Sequence, residues 1–587
     1  MASQPKSAER RMDAAEDAAS GRRVRRGGSV AAGAALDVLL TDASAGARER
    51  FLPIGPTVRL AAALSRRPGR VTREAIRLAG SLARAAAGSS EIEPPRGDRR
   101  FGDPAWSESW LFRRLMQSYL AVGEALDKLI DGAALDLQDE RRVRFAVENL
   151  VNALAPTNFP VTNPQALKAA IDTGGVNFAR GARNLVRDLS TPPRLPASVD
   201  RSKFAVGRDL AVTPGAIVLR TDVFELIQYQ PQTETVRSVP LLVVPPTINK
   251  YYITDLAPGR SMIEYCVRQG QQVFTISWRN PDERHGHWDL STYAESVLEA
   301  LHAACSIAAS DRAHVLGLCS GGIAAAAVAG HLAATGELNR LAGLTCGVCV
   351  IDNERAGMVS ALTSREAAAM AVAESARKGY LDGRALEGVF AWLRPNDMIW
   401  SYVVNNYLLG KDPPAFDILY WNADVTRMAA GLHRDFVALA LENSLAKPGG
   451  LTLLGTPIDL GQVTVDAYVV AAIADHIVPW ENAYRTTQLL GGRTEFVLSS
   501  SGHVAAMVNP PGNERMSYRT RDADNPPHAQ AWLEGAARHR QLVAALGRLA
   551  RRALRAHAPC PEGARQPRVQ ARRPRAWHLR AGEVRRP

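Results

Sequence analysis

Ten residues near the middle of the chain, AHVLGLCSGG at Ala313–Gly322, combine the signals of a strand, a sharp turn and a helix. A short apolar run predicts a buried strand, and the Ala-rich run that follows predicts a helix. Gly317 and Gly321 flank Cys319, and because glycine has no Cβ they let strand and helix approach closely. Gly322 allows still closer packing. We therefore predict a strand-turn-helix unit with Cys319 at a strained position on the turn.

This pattern, Gly-x-Cys-x-Gly between a strand and a helix, is the frame of a nucleophile elbow with cysteine in the place that serine usually takes. The first helical turn directs free N–H groups at the turn, which favours a thiolate on Cys319 and helps to hold an oxyanion. Most lone cysteines are inert apolar residues of the core, and the motif alone leaves that alternative open for Cys319.

Two later segments offer the partners that a nucleophilic cysteine needs. Asp475 directly follows one predicted strand, and His503 lies on a loop past the last predicted strand, Thr494–Leu498. The order nucleophile, acid, histidine is that of α/β-hydrolases, and loops at the carboxyl ends of parallel strands share one edge of the sheet. We predict that Cys319, Asp475 and His503 meet there. His476 is the weaker alternative for the base, because as the neighbour of Asp475 its side chain should diverge from that carboxylate.

Strands alternate with helices from about residue 201 to 354 and again from 451 to 541. This alternation predicts a mostly parallel sheet, and with the elbow it predicts an α/β-hydrolase fold. Residues 355–450 interrupt it with a helical pattern, which predicts an inserted cap. The chain is therefore predicted to begin with a weakly ordered, basic and Ala-rich segment (1–100), followed by a helical N-terminal domain (101–200). The hydrolase core comes in two parts, 201–354 with the elbow and 451–541 with the Asp and His loops, and the helical cap (355–450) separates them. We expect the basic, Arg-, Ala- and Pro-rich tail (542–587) to be disordered.

The six cysteines are irregularly spaced, which predicts a reducing, cytoplasmic setting. The pair Cys346-x-x-Cys349 has the spacing of a redox or metal motif. No second pair or nearby histidine supports that interpretation, and Leu344–Ile351 is typical of a buried strand. We therefore predict that both cysteines belong to the core, and no group of side chains has the spacing of a metal site.

The composition, 46% hydrophobic and 22% charged over 587 residues, is that of a globular protein with a large core. No apolar stretch is long enough to span a bilayer, and the polar, charged start does not resemble a signal peptide. Much of the net charge of +12 lies at Arg22–Arg26 and Arg548–Arg586. These ends are either solvated tails or contacts for an anionic surface. Because aromatic residues do not interleave with them, they do not predict nucleic-acid binding.

Six motifs, taken together, resemble the poly(3-hydroxyalkanoate) synthases, the polyester polymerases of bacterial storage granules. They are PPTINKYY (Pro245–Tyr252), SWRNP (Ser277–Pro281), GLCSGGI (Gly317–Ile323), WLRPND (Trp392–Asp397), DHIVPW (Asp475–Trp480) and SGHV (Ser501–Val504). The resemblance runs from about Asp98 to Gly535 and is strongest to the single-subunit synthases. It fails in the first hundred residues and in Leu542–Pro587. Near residue 540 the family has a Trp-rich segment. Leu542–Pro587 of this chain is instead Arg-, Ala- and Pro-rich, a composition that a shifted reading frame in a GC-rich gene would produce.

By this resemblance the chain is an acyltransferase that polymerises (3R)-hydroxyacyl-CoA into poly(3-hydroxyalkanoate) and releases coenzyme A. Cys319 is then the nucleophile that carries the acyl chain as a thioester, and His503 is the general base. Asp475 either orients His503 or assists the attacking hydroxyl directly, and both roles stay open. The implied partners are the substrate thioester, the growing polyester, the surface of a cytoplasmic granule and a second copy of the chain in a homodimer. No metal or redox cofactor is implied.

The resemblance also implies supporting roles. The oxyanion hole is expected to use the backbone N–H of Ser320 and that of Ile248, which lies in the turn where hydrolases place the second donor. Asp255 recurs in the family, and we expect a structural role for it behind the reacting residues. Whether the monomers are short or of medium chain length stays open.

Two other functions stay open as well. A thiol-type polyester depolymerase or esterase on the same fold fits the elbow equally well, and only the wider set of motifs disfavours it. It would release free hydroxy acids from preformed polymer. A non-catalytic granule-surface protein would bind through the helical region before residue 200 and the basic ends, but the intact Cys319, Asp475 and His503 disfavour that function.

Overall fold

The computed structural model describes residues 53–95, 97–354, 365–475, 477–508, 516–521 and 524–540. The two basic ends named above and His476 lie outside these residues. No helix in the described ranges is long and apolar enough to cross a membrane.

The strands are numbered in chain order. They are β1 (Gly215–Arg220), β2 (Phe224–Tyr229), β3 (Leu241–Val244), β4 (Asp255–Ala257), β5 (Arg260–Ser261), β6 (Val273–Trp278), β7 (Ala313–Leu318), β8 (Leu341–Gly347), β9 (Tyr380–Leu381), β10 (Met428–Ala429), β11 (Leu451–Leu453), β12 (Thr456–Ile458), β13 (Ala467–Ala472), β14 (Thr494–Ser499), β15 (Ser517–Thr520) and β16 (Ala537–Arg540).

The α-helices are numbered in the same way. They are α1 (Ile54–Ser65), α2 (Pro68–Ala87), α3 (Ala105–Glu108), α4 (Trp110–Ala133), α5 (Leu137–Ala153), α6 (Pro164–Thr173), α7 (Val176–Ser190), α8 (Met262–Arg268), α9 (Leu290–Ala308), α10 (Ser320–Ala334), α11 (Arg365–Lys378), α12 (Gly383–Leu393), α13 (Asp417–Ala423), α14 (Ala430–Glu442), α15 (Trp480–Leu489), α16 (His503–Val508) and α17 (Ala529–Gly535). Two π-helical turns, Asn396–Trp400 and Val403–Leu408, lie between α12 and α13.

A ten-stranded sheet forms the centre of the molecule, in the order β1-β2-β6-β3-β7-β8-β13-β14-β15-β16. Its central strands, from β6 to β14, are parallel to one another. The outer pairs β1–β2 and β15–β16 join this core through antiparallel ladders. A parallel sheet with helical crossovers confirms the predicted α/β-hydrolase fold.

Strand β7 and helix α10 occupy the middle of the core. All six residues of β7 are buried, as expected for a parallel strand that is covered on both faces. Helix α10 begins directly after Cys319 and is buried along most of its length. It packs on β7 and β8 on one side and against β12 on the other, where a Cβ on Gly330 would lie 2.5 Å from the Cγ2 of Ile458. Cys319 therefore lies between two almost completely buried elements of the core.

The N-terminal helices dock onto the helical segment inserted between β8 and β13. Helix α7 packs on the π-helical turn Val403–Leu408. There the Nδ2 of Asn177 donates to the carbonyl of Leu408 at 2.7 Å, and the Nδ2 of Asn184 donates to the carbonyl of Asn406 at 3.2 Å. Both α7 asparagines are almost completely buried. Their amide groups therefore satisfy backbone carbonyls at this irregular turn instead of facing water.

Strand β8 ends earlier than the sequence predicts. The apolar run predicts a strand over Leu344–Ile351, whereas β8 covers Leu341–Gly347. The N–H of Val348 still donates to the carbonyl of Val470 in β13 at 2.8 Å, and the left-handed φ of Val348, 45°, then turns the chain out of the ladder. Residues 349–351 stay buried without belonging to a strand. Burial alone therefore does not mark where this strand stops.

The structure also corrects the predicted surroundings of His503. This residue begins α16 instead of lying on a loop, and the N–H of Ala506 donates to the carbonyl of Gly502 at 3.0 Å. Strand β14 is not the last strand, because β15 and β16 continue the sheet through antiparallel pairs. These two edge strands are four residues each and mix polar with apolar residues, so the sequence shows no run that marks them.

Replacing Gly181 by Ala should weaken the docking of α7 on the inserted segment. A Cβ at this position would overlap the backbone carbonyl of Tyr407, which cannot move aside without shifting the π-helical turn. We expect a loss of about 1–3 kcal/mol, the range for overpacking, measured as a lower melting temperature. Gly388→Ala in α12 is the control, since nothing lies within 4 Å of the added Cβ and alanine suits a helix better than glycine by about 1 kcal/mol. Equal melting temperatures for the two variants would contradict this account.

Candidate active site

Cys319 occupies the turn between β7 and α10 in a strained backbone conformation. Its φ is 50° and its ψ is −123°, a region that residues with a Cβ rarely adopt. Its N–H donates to the carbonyl of Gly347 at 2.9 Å, and its carbonyl accepts the N–H of Gly322 at 2.9 Å. The residue is partly exposed. The thiol is therefore accessible at the carboxyl edge of the sheet while its backbone is held on both sides.

Each glycine of the predicted elbow has other atoms where a Cβ would lie. A Cβ on Gly317 would be 2.6 Å from the Cα of Gly322. A Cβ on Gly321 would overlap the carbonyl of Pro245, at the end of β3. A Cβ on Gly322 would be 2.9 Å from the Sγ of Cys349. The helix begins this close to β3 and β7 because all three positions are glycine.

The loop after β13 holds Asp475 against His503. The Nδ1 of His503 lies 2.7 Å from one carboxylate oxygen of Asp475. The other oxygen accepts the N–H groups of Ile477 and Val478 at 2.8 and 2.9 Å. The Asp475 side chain is fully buried and that of His503 nearly so. Both carboxylate oxygens are therefore occupied, and the imidazole ring is held with its other nitrogen free for a second partner.

That second partner is Cys319. Burial by itself would lower the pKa of His503, but the charges of Asp475 and Cys319 and hydrogen bonds to both side chains raise it to about 10. The ring therefore carries its proton at neutral pH, as an imidazolium between a carboxylate and the sulfur. The structure brings Cys319, His503 and Asp475 together in the predicted order, whereas the alternative base, His476, lies outside the described residues. Their catalytic roles stay predictions.

The turn after β3 lies against the elbow. The Oγ of Ser320 accepts the N–H of Thr247 at 3.0 Å and lies 3.1 Å from its Oγ1. The Nε1 of Trp278 donates to the carbonyl of Pro245 at 3.0 Å, which fixes the other side of the turn. Within the described residues, the N–H groups of Ser320 and Ile248 donate to no other backbone group. The two predicted oxyanion donors thus lie on adjoining segments. The sequence reasoning missed the tether through the Ser320 hydroxyl, because a serine beside a nucleophile carries no signal of a partner so distant in the chain.

Asp255 lies apart from this row of side chains. It is buried at the start of β4. Its Oδ1 accepts the hydroxyl groups of Ser261 and Thr213 at 2.6 and 2.5 Å, and its Oδ2 accepts the N–H of Thr213 at 3.2 Å. Burial raises its pKa, against the effect of these hydrogen bonds. The contacts join the segment before β1 to the β4–β5 hairpin, which fits the structural role predicted for this residue.

The inserted segment is anchored beside the turn after β3, which contains the predicted oxyanion donor Ile248 and is called the oxyanion turn below. The Nε1 of Trp421, on α13, donates to the carbonyl of Lys250 at 2.9 Å. The hydroxyl of Tyr252 donates to the Oδ2 of Asp424 at 2.7 Å. Trp421 is buried, so this aromatic residue packs in the interior, as most large aromatic residues do. The insert therefore reaches the edge of the sheet at which Cys319, His503 and Asp475 lie.

Two family models match the chain. One is described as the N-terminus of poly-beta-hydroxybutyrate polymerase (PhaC) and matches residues 97–266. The other is described as the alpha/beta hydrolase fold and matches residues 240–510, which include the elbow and both of its partners.

Known proteins are similar over most of the chain. Poly(3-hydroxyalkanoate) polymerase 1 of Ectopseudomonas oleovorans is 46% identical over 452 residues, which are 77% of this chain and 80% of that protein. The poly(3-hydroxyalkanoate) polymerase subunit PhaC of Cupriavidus necator is 39% identical over 461 residues, 77% of this chain and 78% of that protein. Among solved structures, a hydrolase from Pseudomonas aeruginosa PA01 is 16% identical with a TM-score of 0.30, over 50% of this chain and 92% of that one.

The charge on His503 predicts a pH dependence of stability. Its pKa is about 10 in the folded chain, against an ordinary value of 6.5. Because the folded value is the higher one, the stabilisation by the protonated ring is complete below about pH 6.5 and is lost as the pH rises towards 10. His503→Gln keeps an N–H donor but has no proton to lose. Between pH 7 and 10 the melting temperature of the wild type should therefore fall more steeply than that of the variant.

The control is His302→Gln, on the exposed side of α9, which should follow the wild-type profile. If the His503→Gln profile ran parallel to both, the buried imidazolium would be ruled out.

Proposed function

The chain belongs to the family of poly(3-hydroxyalkanoate) polymerases, and we propose that it builds polyester from (3R)-hydroxyacyl-CoA through an acyl thioester on Cys319, with release of coenzyme A. The observation that carries this proposal is the hydrogen-bonded row of Cys319, His503 and Asp475 at the apex of the elbow. A thiolate paired with an imidazolium is a nucleophile that needs no further activation.

In the first step the Cys319 sulfur attacks the acyl carbon of the substrate thioester. The N–H groups of Ser320 and Ile248 hold the oxyanion that forms. The tetrahedral intermediate then expels the coenzyme A thiolate, which takes its proton from His503. One thioester is exchanged for another with little change in free energy, so the acyl group stays activated. A serine would instead form a more stable oxyester and slow the next transfer.

In the second step the hydroxyl of one acyl unit attacks the thioester of the growing chain. An ester bond forms, the carbon–sulfur bond of that thioester breaks, and its sulfur leaves as a thiolate. His503, neutral after the first step, accepts the hydroxyl proton. Of the two roles open for Asp475, we propose that it orients His503, because its second oxygen is already occupied by the N–H groups of Ile477 and Val478. Water must stay out, or the acyl-enzyme would hydrolyse. The insert, anchored through Trp421 beside the oxyanion turn, is the segment that we propose as the cover.

The proposed partners follow from the same chemistry. Coenzyme A enters as part of the substrate, and we expect no metal or redox cofactor. The growing polyester is apolar, and the N-terminal helices and their connecting segments carry large apolar side chains that are more than half exposed, among them Ile54, Val58, Ile76, Trp110, Leu111, Leu150, Leu154, Val161, Ile171 and Val186. We propose that this surface meets the polyester granule in the cytoplasm. The homodimer implied by the family resemblance stays a prediction.

Coenzyme A release is the test. Purified protein receives (R)-3-hydroxybutyryl-CoA and, separately, (R)-3-hydroxyoctanoyl-CoA, and both the released thiol and the acyl product are measured. We expect thiol release with polymer, and the faster substrate identifies the preferred chain length. Cys319→Ala should lower the rate about 10⁴-fold or more, as removal of a triad member does, without loss of the folded state. Cys305→Ala, a partly exposed cysteine on α9, should leave the rate unchanged.

Other products would point elsewhere. Thiol release that yields only free hydroxy acid would favour the thiol-type esterase. A Cys319→Ala variant that still polymerises at a useful rate would remove Cys319 from the mechanism.

Removing the tail Leu542–Pro587 should leave this chemistry intact, because the described elements that hold the site end at β16. The matched control removes residues 537–587 and with them β16, whose ladder with β15 pairs His539 with Tyr518. We expect the shorter deletion to keep both the rate of thiol release and the melting temperature, and the longer one to lower the melting temperature. Loss of soluble, active protein in the shorter deletion would contradict the view that the tail carries no selected function.

A further inference from the structure

Three thiols converge where β7 and β8 end. Cys346 lies in β8 opposite Gly317. Cys349 follows the end of that strand, and Cys319 begins the elbow. The first two are almost fully buried, at 1% and 2% exposure, whereas Cys319 is partly exposed. The pair that the sequence analysis assigned to the core thus lies directly behind the residue that we propose as the nucleophile.

The register of the two strands places Cys319 and Cys349 at the same edge of the sheet. Leu318 pairs with Gly347, and the N–H of Cys319 donates to the carbonyl of Gly347 at 2.9 Å. Cys319 is one residue past its strand and Cys349 is two residues past its own. The two cysteines therefore follow the ends of neighbouring, paired strands.

The side chain of Cys349 lies on the same side as the elbow. A Cβ on Gly322 would be 2.9 Å from its Sγ, so this sulfur packs against the first turn of α10, which starts immediately after Cys319. A hydrogen bond with Cys346, then burial, then the nearness of Cys319 raise the pKa of Cys349 well above its usual range. Cys349 is therefore held as a buried thiol behind the elbow.

We propose that Cys349 is a resolving thiol, which converts a peroxide-oxidised Cys319 into a reversible Cys319–Cys349 disulfide. In the first step the Cys319 thiolate attacks hydrogen peroxide. A sulfur–oxygen bond forms, the O–O bond breaks, and the departing hydroxide takes the proton of His503, which leaves sulfenic acid, water and a neutral imidazole. In the second step the sulfur of Cys349 attacks the sulfenic sulfur, and its proton leaves with the hydroxyl group as water. Two thiols lose two electrons, and one peroxide becomes two waters.

The division of labour follows from exposure. Cys319 is partly exposed whereas Cys349 is buried, so Cys319 meets the peroxide first. Without a second thiol its sulfenic acid would proceed to sulfinic acid, which thiol reductants do not reverse. This inference goes beyond the proposed function. It uses the reactive sulfur of Cys319 but not its part in polymerisation, so a test that maps the sulfur products does not depend on polyester synthesis.

The test maps sulfur products in the full chain. Reduced protein is treated with hydrogen peroxide near neutral pH, blocked with iodoacetamide and digested with trypsin. Because cleavage after Arg340 separates Cys319 from Cys346 and Cys349, the proposed disulfide links two peptides, whereas a Cys346–Cys349 bond would stay within one. We expect the linked pair, and recovery of thiol release after treatment with dithiothreitol.

Two matched variants sharpen the result. In Cys349→Ser we expect no link, sulfinic acid on Cys319 and a loss of activity that dithiothreitol does not restore. In Cys346→Ser, which keeps a hydroxyl for the hydrogen bond to Cys349, we expect the link to form as before. The proposal is overturned by a wild type without linked peptides, by a link that survives in Cys349→Ser, or by sulfinic acid that forms equally fast in both proteins. If Cys349→Ser does not fold, the peptide map of the wild type decides alone.

Discussion

The site depends on one close approach, that of the first turn of α10 to the end of β3. Gly321 lies directly under the carbonyl of Pro245, where any side chain would collide. Next to this contact, Cys319 has a positive φ, a strained conformation that costs a residue with a Cβ about 1–3 kcal/mol. The buried strand β7 and the buried helix α10 on either side supply the packing that holds the strain. The same approach brings the hydroxyl of Ser320 to the N–H of Thr247, so one steric constraint aligns both halves of the predicted oxyanion hole.

The electrostatics of the site depend on a carboxylate whose two oxygens both accept hydrogen bonds. Asp475 is buried, and its oxygens are shared between His503 and two N–H groups of its own loop. Burial opposes a charge on His503, yet the carboxylate and the sulfur together outweigh it. The thiolate that we propose for Cys319 suits exchange between thioesters, because no proton has to be removed before attack. It is also the form of cysteine that oxidants attack, and the buried thiol of Cys349 lies where such damage would have to be reversed.

Directed side-chain hydrogen bonds join the N-terminal helices and the insert to the rest of the chain. Asn177 and Asn184 donate to carbonyls of the π-helical turn. The hydroxyl of Tyr252 donates to Asp424, and the Nε1 of Trp421 on α13 donates to the carbonyl of Lys250. Each of these contacts is specific in direction, so the N-terminal helices, the insert and the site are kept in register with one another. The apolar residues of α1 to α7 that such contacts leave exposed are available for another surface.

The sequence by itself determined what is encoded locally. The glycine spacing around Cys319, the apolar runs of β3, β7 and β14, and the order of Cys319, Asp475 and His503 all follow from short-range patterns, because a strand run or a sharp turn has its signature within ten residues. The tertiary structure alone decided where β8 stops, that His503 begins a helix, that Ser320 is tied to Thr247 and that Cys349 lies behind Cys319. Each of these depends on residues far away in the chain, as with the hydroxyl of Ser320, which accepts the N–H of Thr247. A hydrogen bond or a close contact of this kind is set by how the elements pack, and no periodicity in the sequence records it.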